Sequence, residues 1–375
     1  MRASYLDYNA TAPLRPEARA AMLLALDETG NASSVHGFGR RARHLIEEAR
    51  ELVAALVSAR PEQVIFTAGG TEANNMALRG FARPILASAG EHDSVLGLDH
   101  LERIPLTRDG VVDLARLEAR LNEVDTPALV ALMRANNETG VIQPVAEAAR
   151  LAHGQGALLH CDAVQAAGKI PVDFGALGAD SLSLSAHKLG GPQGAGALIL
   201  AEGLEPAPLL AGGGQERRRR AGTENVAAIA GFGAAARAVL PELEDRRALA
   251  KLRDELETGL RALAPDIAIH GAGAPRLPNT SCFGVPGLSA ETLVMALDLA
   301  GVAVSAGAAC SSGKVAASHV LRAMGLDEAA AGEAIRVSLG WASTAEDTAH
   351  FLEAWRGCLV RAAKPDRKAP RRAAV

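Results

Sequence analysis

Aromatic side chains are scarce in this chain: two tryptophans, two tyrosines and seven phenylalanines supply 3% of 375 residues. With 49% hydrophobic residues overall, the core has to be built from closely packed alanine, leucine and valine instead of rings. Cysteine is scarcer still, at four, which excludes a disulfide framework for a chain of this length and points to free thiols in a reducing compartment. No charge dominates. The 39 basic and 43 acidic side chains leave a net charge of -4, which argues against binding to nucleic acid or to an anionic membrane through the overall field. No uncharged run reaches the roughly 18 to 20 residues of a membrane helix, and the amino-terminal stretch lacks the apolar core of a signal peptide. No repeat of fixed period is visible, which disfavours solenoids and propellers. The expectation is a cytoplasmic globular protein, long enough for one large domain and a smaller one.

Glycine and proline are plentiful, at 38 and 18, and they separate many short elements. Residues 40–57 carry Ala42, Leu45, Ile46, Ala49, Leu52, Val53 and Leu56 at helical spacing with charges between them, so a helix with one buried face is predicted. Val64, Ile65, Phe66 and Thr67 read as a short strand, and Gly69-Gly70-Thr71-Glu72 as the turn that opens the next helix. Strands are likewise expected at residues 128–133, 157–161, 181–185 and 196–200, with a helix at 145–152. Short buried strands alternating with helices predict an α/β fold with a mostly parallel sheet. A charged helix at residues 242–262, with Leu249, Leu252, Leu256 and Leu260 on one side, leads into a second unit, and the boundary is placed near residue 255. The basic tail, residues 364–375, lacks large apolar residues except Val375 and is expected to be disordered.

Three pieces carry chemistry. Gly70 and Thr71 stand at a strand-to-helix junction, where unpaired N–H groups attract an anion, although a Gly-Gly turn alone is more often only a turn. Lys188 lies between an apolar run and the Gly190-Gly191 turn; partial desolvation lowers the pKa of such a lysine and makes it a Schiff-base candidate, against the plainer reading of a surface lysine. Asp162 follows a buried strand, where a carboxylate needs a cationic or hydrogen-bonding partner, or else caps a helix. Each stands at the carboxyl end of a predicted parallel strand, where open α/β sheets bind ligands. Together they ask for a cofactor with a phosphate, an aldehyde and a ring nitrogen. Arg336, within an otherwise apolar strand, calls for an anionic partner. Cys310 lies in the small-residue stretch from Ala306 to Gly313, where a mobile loop is expected.

The strings YLDYNATAP, NASSVHGFGRRAR, FTAGGTEANN, EHDSVL, NNETGVIQP, HCDAVQAAGK, SLSAHKLGGPQGAGAL, RAGTEN, VSAGAACSSG and IRVSLG, spread over residues 5–355, resemble cysteine desulfurases of the nitrogen-fixation and iron–sulfur-cluster type, which are class V aminotransferases. The resemblance implies a pyridoxal-phosphate-dependent transferase fold, aspartate-aminotransferase-like, working as a homodimer. The large cofactor domain would span residues 15–255, and the small α+β domain residues 1–14 and 256–363, with the cysteine loop near 306–318. It further implies that Lys188 carries pyridoxal 5'-phosphate, that Asp162 pairs with the ring nitrogen, that Gln165 bonds the ring hydroxyl and that His92 stacks on the ring and helps move protons. Gly70, Thr71, Ser185 and His187 would hold the phosphate, joined by Thr223 from the other subunit. Asn137 and Arg336 would bind L-cysteine. Cys310 would take its sulfur as a persulfide, leaving L-alanine, and pass it to an iron–sulfur scaffold or another sulfur-acceptor protein. No metal is implied.

Cys161, Cys282 and Cys358 are read as small core residues. Three departures stand out: Gly307-Ala308-Ala309 lacks a serine that the family often has before the cysteine, Arg218 stands where glycine is common, and Trp341 is unusual. Selenocysteine lyase and class V aminotransferase are the alternatives within the enzyme class. A metal-binding protein using Cys310 and His319 is disfavoured by the spacing. The arginine run at residues 217–220 reads as part of the cofactor mouth and dimer interface more readily than as a nucleic-acid patch.

Overall fold

The computed structural model describes residues 3–243, 247–307 and 317–362. At its centre lies a seven-stranded sheet in the order Val64–Thr67, Gly196–Leu200, Ser181–Ser185, Leu158–Asp162, Leu129–Ala131, Ile85–Ser88 and Leu101–Ile104. Only Gly196–Leu200 runs against its neighbours; the remaining pairings are parallel. Away from the edge strand Leu101–Ile104, whose Glu102 and Arg103 are exposed, the strands are covered on both faces, buried along nearly their whole length and show no simple apolar–polar alternation.

The shortage of rings is met by close backbone approach. Helix Val226–Val239 packs against Pro16–Leu26 and Gly37–Leu56. At Gly233 an added Cβ would stand 2.6 Å from the Ala49 Cα, a distance that only glycine permits. The stretch Val226–Leu243 is long and apolar enough to cross a membrane. Its apolarity on every side is accounted for by packing, since Ala228, Ile229, Phe232, Ala235 and Ala236 are all buried in the main core.

A second core is ring-rich by contrast. Phe283, Phe351 and Trp355 meet with centroids 5.5 to 6.2 Å apart, against the antiparallel strands Thr280–Gly284 and Ile335–Ser338. Helices Arg247–Leu263, Ala290–Asp298 and Ala345–Ala362 contribute to this core. The amino terminus joins it: Ser4–Tyr5 pairs in parallel with Val302–Ala303, and Leu6 is buried there. The leucine-bearing helix expected from residue 242 is described from Arg247, with Leu256 and Leu260 buried. Glu242 instead lies in the 3-10 turn Leu240–Leu243, which Pro241 helps to shape, and both its oxygens accept from Arg15 at 2.7 Å. The basic tail lies outside the described residues.

Two of the departures have structural accounts. Arg218 adopts φ +68°, after Glu216 at +44° and Arg217 at +56°, so a left-handed backbone explains why glycine suits that position. The run is held by the buried Glu216 carboxylate, which accepts from Arg50 at 2.7 and 2.8 Å and from the Phe66 N–H at 2.9 Å. Arg218→Gly is therefore expected to raise unfolding stability by about 1 kcal/mol, read as an increased urea midpoint; a lowered midpoint would mean that the side chain itself stabilises the turn. Trp341 forms a clamp. Its indole N–H donates to Pro13 O at 3.2 Å and its ring lies 5.1 Å from the Arg15 guanidinium, whose Nε donates to Leu189 O at 3.1 Å, beside Lys188.

Candidate active site

The strand ends determine which side chains meet. Strand Val64–Thr67 leads into helix Gly70–Gly80, whose first-turn N–H groups have no partner within the helix. A side chain at Gly70 would bring its Cβ to 2.7 Å from Val164, so this cradle stays open only with glycine. Strand Leu158–Asp162 ends on the buried Asp162, and strand Ser181–Ser185 passes directly into the 3-10 turn Ala186–Lys188. From the second core, strand Ile335–Ser338 contributes Arg336, and the segment around Asn9 crosses between the two cores.

A cavity of about 490 Å³ results. Of the residues predicted from sequence, Gly70, Thr71, His92, Asn137, Asp162, Gln165, Ser185, His187, Lys188 and Arg336 all line it. Thr223 is exposed and is not among the lining residues of this cleft. Cys310, with the expected loop around it, lies outside the described residues. The chain does leave from the cleft wall, since Ser305 is a lining residue and the Gly307 N–H donates to Ala334 O at 2.8 Å. It is described again from residue 317, where Ser318 donates to the buried carboxylate of Glu138. That carboxyl is pushed up to about 7, chiefly by burial.

Lys188 Nζ donates to Asn9 O at 2.6 Å and to Ala10 O at 2.9 Å. Burial first, and then the charge of Arg336, bring it down to about 8, so a sizeable neutral fraction is present at neutral pH. His187 is lowered to about 4 by burial and by Lys188 and Lys169, so at pH 7 it is a neutral hydrogen-bonding group. Asp162 accepts from Val164 N–H at 2.9 Å and from Asn74 Nδ2 at 2.8 Å, and its carboxylate borders the cavity. Arg336 is 3% exposed; its Nη1 donates to Asn137 O at 3.0 Å and its Nη2 to Asp7 at 2.7 Å, while its buried Nε has no partner. His92 accepts at Nδ1 from the Ser94 N–H at 3.0 Å. The cleft therefore presents an anion cradle, a partly desolvated amine, a buried carboxylate and an arginine with a spare donor.

Residues to which the sequence reading assigned no role complete the site. Asn9 is the junction: its carbonyl accepts from Lys188 and Gln165, its Oδ1 from Lys169 at 2.7 Å, and its Nδ2 donates to Thr280 and Asn137 O. Lys169 is a second buried lysine, also 2.5 Å from Gln165 Oε1. Asn74 and Ser94 line the wall between Asp162 and His92. The only signal for Asn9 and Asn74 was their place in the strings YLDYNATAP and FTAGGTEANN. Cys161 and Cys282 are wholly buried and Cys358 is 4% exposed; burial pushes the thiols of Cys161 and Cys282 up.

A sheet whose strand ends bring a lysine, an aspartate and a glycine-opened helix around one cleft defines the ligand-binding end of an α/β enzyme. The chain belongs to the class V aminotransferase family, whose model matches residues 4–351, and within it to the cysteine desulfurases of the nitrogen-fixation and iron–sulfur-cluster type. It is 42% identical to an IscS-like cysteine desulfurase of Mycobacterium tuberculosis, over 96% of this chain and 97% of that one. It is 46% identical to a cysteine desulfurase of Cereibacter sphaeroides, over 94% and 95%. Among solved structures, a NifS-like protein from Rickettsia africae superposes with a TM-score of 0.90 at 35% identity, covering 96% of this chain and 100% of the other.

Proposed function

We propose that the cleft binds pyridoxal 5'-phosphate and L-cysteine and that Cys310 removes the substrate sulfur. The enzyme is a cysteine desulfurase; the proposal concerns which residues do the work. The observation that carries it is the convergence of Gly70, Thr71, Asp162, Lys188 and Arg336 on one cavity of about 490 Å³. The helix start with Ser185 and His187 suits the phosphate, Lys188 the aldehyde carbon and Asp162 the ring nitrogen. Gln165 is within the same wall, as the ring hydroxyl requires.

Held there, pyridoxal phosphate would supply an electron sink for the pair left at the substrate Cα, the chemistry that opens the substrate sulfur to nucleophilic attack. Asp162 would face the ring nitrogen and hold its proton. Lys188, held by two carbonyls and lowered to about 8, takes and returns the Cα proton. His92 covers the ring. Arg336 and Asn137 hold the substrate carboxylate, with Asp7 and Asn137 O fixing the guanidinium and its unpartnered Nε as the free donor. The Cys310 thiolate forms the new S–S bond as the substrate C–S bond breaks; protonation of the substrate carbon releases alanine. The burial of the three other thiols supports this choice.

A division into a large unit and a smaller one with the amino terminus is supported by the separate main and second cores, although Leu249 and Leu252 already pack against the second core, which favours a boundary before helix Arg247–Leu263 over one at residue 255. Thr223 is assigned to the phosphate of a partner subunit. The exposed Leu23, Leu24, Leu26, Val35 and Phe38 support a homodimer, since they leave a large apolar surface along the amino-terminal helices. The attacking Cys310 thiol has to be kept reduced, which favours the cytoplasm, and the sulfur is passed to an iron–sulfur scaffold or another acceptor protein. The test is to load the purified protein with pyridoxal phosphate, add L-cysteine and quantify products. With a dithiol reductant present to return the persulfide to the thiol, alanine and sulfide in equal amounts are expected; amino transfer to a keto acid, or turnover confined to selenocysteine, would overturn the assignment.

A further inference from the structure

We propose that Asn74 is a positioning residue that ties Asp162, through Ser94, to His92, and that its amide, oriented by Asp162, fixes the tautomer of the buried His160. The inference deepens the reading above, since it matters for the reaction only if Asp162 and His92 flank the cofactor ring.

Asn74 is 1% exposed, on helix Gly70–Gly80. Every face of its amide is used, and the direction of each bond follows from its far end. Asp162, as a carboxylate, can only accept, so the amide nitrogen of Asn74 must face its Oδ2, at 2.8 Å. The second proton of that nitrogen goes to Ser94 Oγ at 2.8 Å. Ser94 then has one proton left to give, and His92 Nδ1 stands 2.9 Å away. The same Nδ1 accepts the backbone N–H of Ser94 at 3.0 Å. With its lone pair so occupied, Nδ1 cannot carry the proton of the neutral ring, which stands on Nε2.

On the other side, Asn74 Oδ1 is 2.9 Å from His160 Nε2, which must therefore be a donor. Ser183 Oγ lies 3.2 Å from the same nitrogen, and Ser181 Oγ is 2.8 Å from Nδ1. Burial holds His160 down at about 4, so the ring is neutral, with the proton on Nε2 and the Ser181 hydroxyl donating to Nδ1. Reversing the Asn74 amide would set an oxygen against Asp162 and Ser94 and an N–H against His160 Nε2. The string thus has one consistent polarity from the serines of strand Ser181–Ser185 through His160 and Asn74 to Asp162 and His92.

Long-range ¹H–¹⁵N correlation spectra of the ¹⁵N-histidine-labelled full chain, with and without added pyridoxal phosphate, read both tautomers directly. His92 and His160 are each expected as the Nε2–H form. Asn74→Ala should abolish the single fixed tautomer of His160, which loses its Oδ1 acceptor, whereas His92 keeps its Nε2–H form because the Ser94 N–H still donates to Nδ1. Ser94→Ala, which removes one hydroxyl from a half-buried position, should shift the His92 Nδ1 resonance through loss of the Oγ–H bond and leave His160 as it is, so the test survives if Asn74→Ala misfolds. In steady-state kinetics, Asn74→Ala should lower kcat about tenfold or more at nearly unchanged KM, the loss of one hydrogen bond to a charged group. A wild-type His92 protonated on Nδ1, a His160 tautomer unchanged in Asn74→Ala, or a His92 Nδ1 resonance unchanged in Ser94→Ala would overturn the inference. Absence of any turnover of cysteine in the wild type, with the tautomers as expected, would overturn the function instead.

Discussion

Lys188→Ala is expected to leave a protein that forms no borohydride-trapped adduct with pyridoxal phosphate and whose desulfuration falls by about 10² to 10⁴ or more, since the amine both anchors the cofactor and moves a proton. Peptide mass mapping of the reduced wild type should place the adduct on the peptide containing Lys188. The structure provides an internal control in Lys169, a second buried lysine on the same junction, held by Asn9 Oδ1 and Gln165. An adduct surviving Lys188→Ala and lost in Lys169→Ala would exchange the two roles. The pH dependence has a definite sign. Lys188 is lowered to about 8, so above that pH the amine is free, and below it the capture rate of apoprotein drops about tenfold per unit as protonation removes the nucleophile. A midpoint near 10.5, the value of an ordinary lysine, would show that Lys188 is not desolvated.

Cys310→Ser is expected to reduce catalytic sulfide release by about 10³-fold or more while cysteine still perturbs the visible spectrum of the cofactor-loaded protein, because binding and sulfur abstraction fall to different residues. The serine variants of Cys161, Cys282 and Cys358 provide the contrast. Each of these thiols sits in a packed core, so their replacement should change stability more than turnover. A loss at Cys161 equal to that at Cys310 would move the nucleophile into the strand beneath Asp162. Undiminished turnover in Cys310→Ser would remove it from Cys310.

The elements were legible where a physical pattern was local. Helix Gly37–Leu56 showed its buried face in the three- and four-residue spacing of apolar side chains, and Ser181–Ser185 and Gly196–Leu200 stood between turn residues at the bounds expected. The reversed direction of Gly196–Leu200 was not legible, because a strand buried on both faces has the same composition whichever way it runs. The site residues named from sequence are those whose chemistry is unusual in context: a lysine after a buried strand, an arginine within one, a carboxylate at a strand end. Asn9 and Asn74 carry no such signal. An asparagine in a loop or on a helix is ordinary, and what makes Asn9 a junction is its meeting with Thr280, 271 positions away, which no local pattern encodes. Arg218 was noted as a departure, but its left-handed backbone was visible only once Glu216 was seen to be drawn inward by Arg50.

The uneven distribution of rings has an optical consequence. Both tryptophans belong to the second half of the chain and report on different things. Trp355 is wholly buried against Phe283 and Phe351, so its emission is blue-shifted while the second core is intact and moves to longer wavelength only when that core opens. Trp341 is 38% exposed, lies over Arg15 and lines a small gap shared with Lys188, so its emission senses the neighbourhood of the Lys188 amine. The alanine-packed sheet domain has no tryptophan at all and is silent in this channel. The intrinsic fluorescence of the native enzyme therefore resolves events at the lysine from melting of the ring-rich core, without any label.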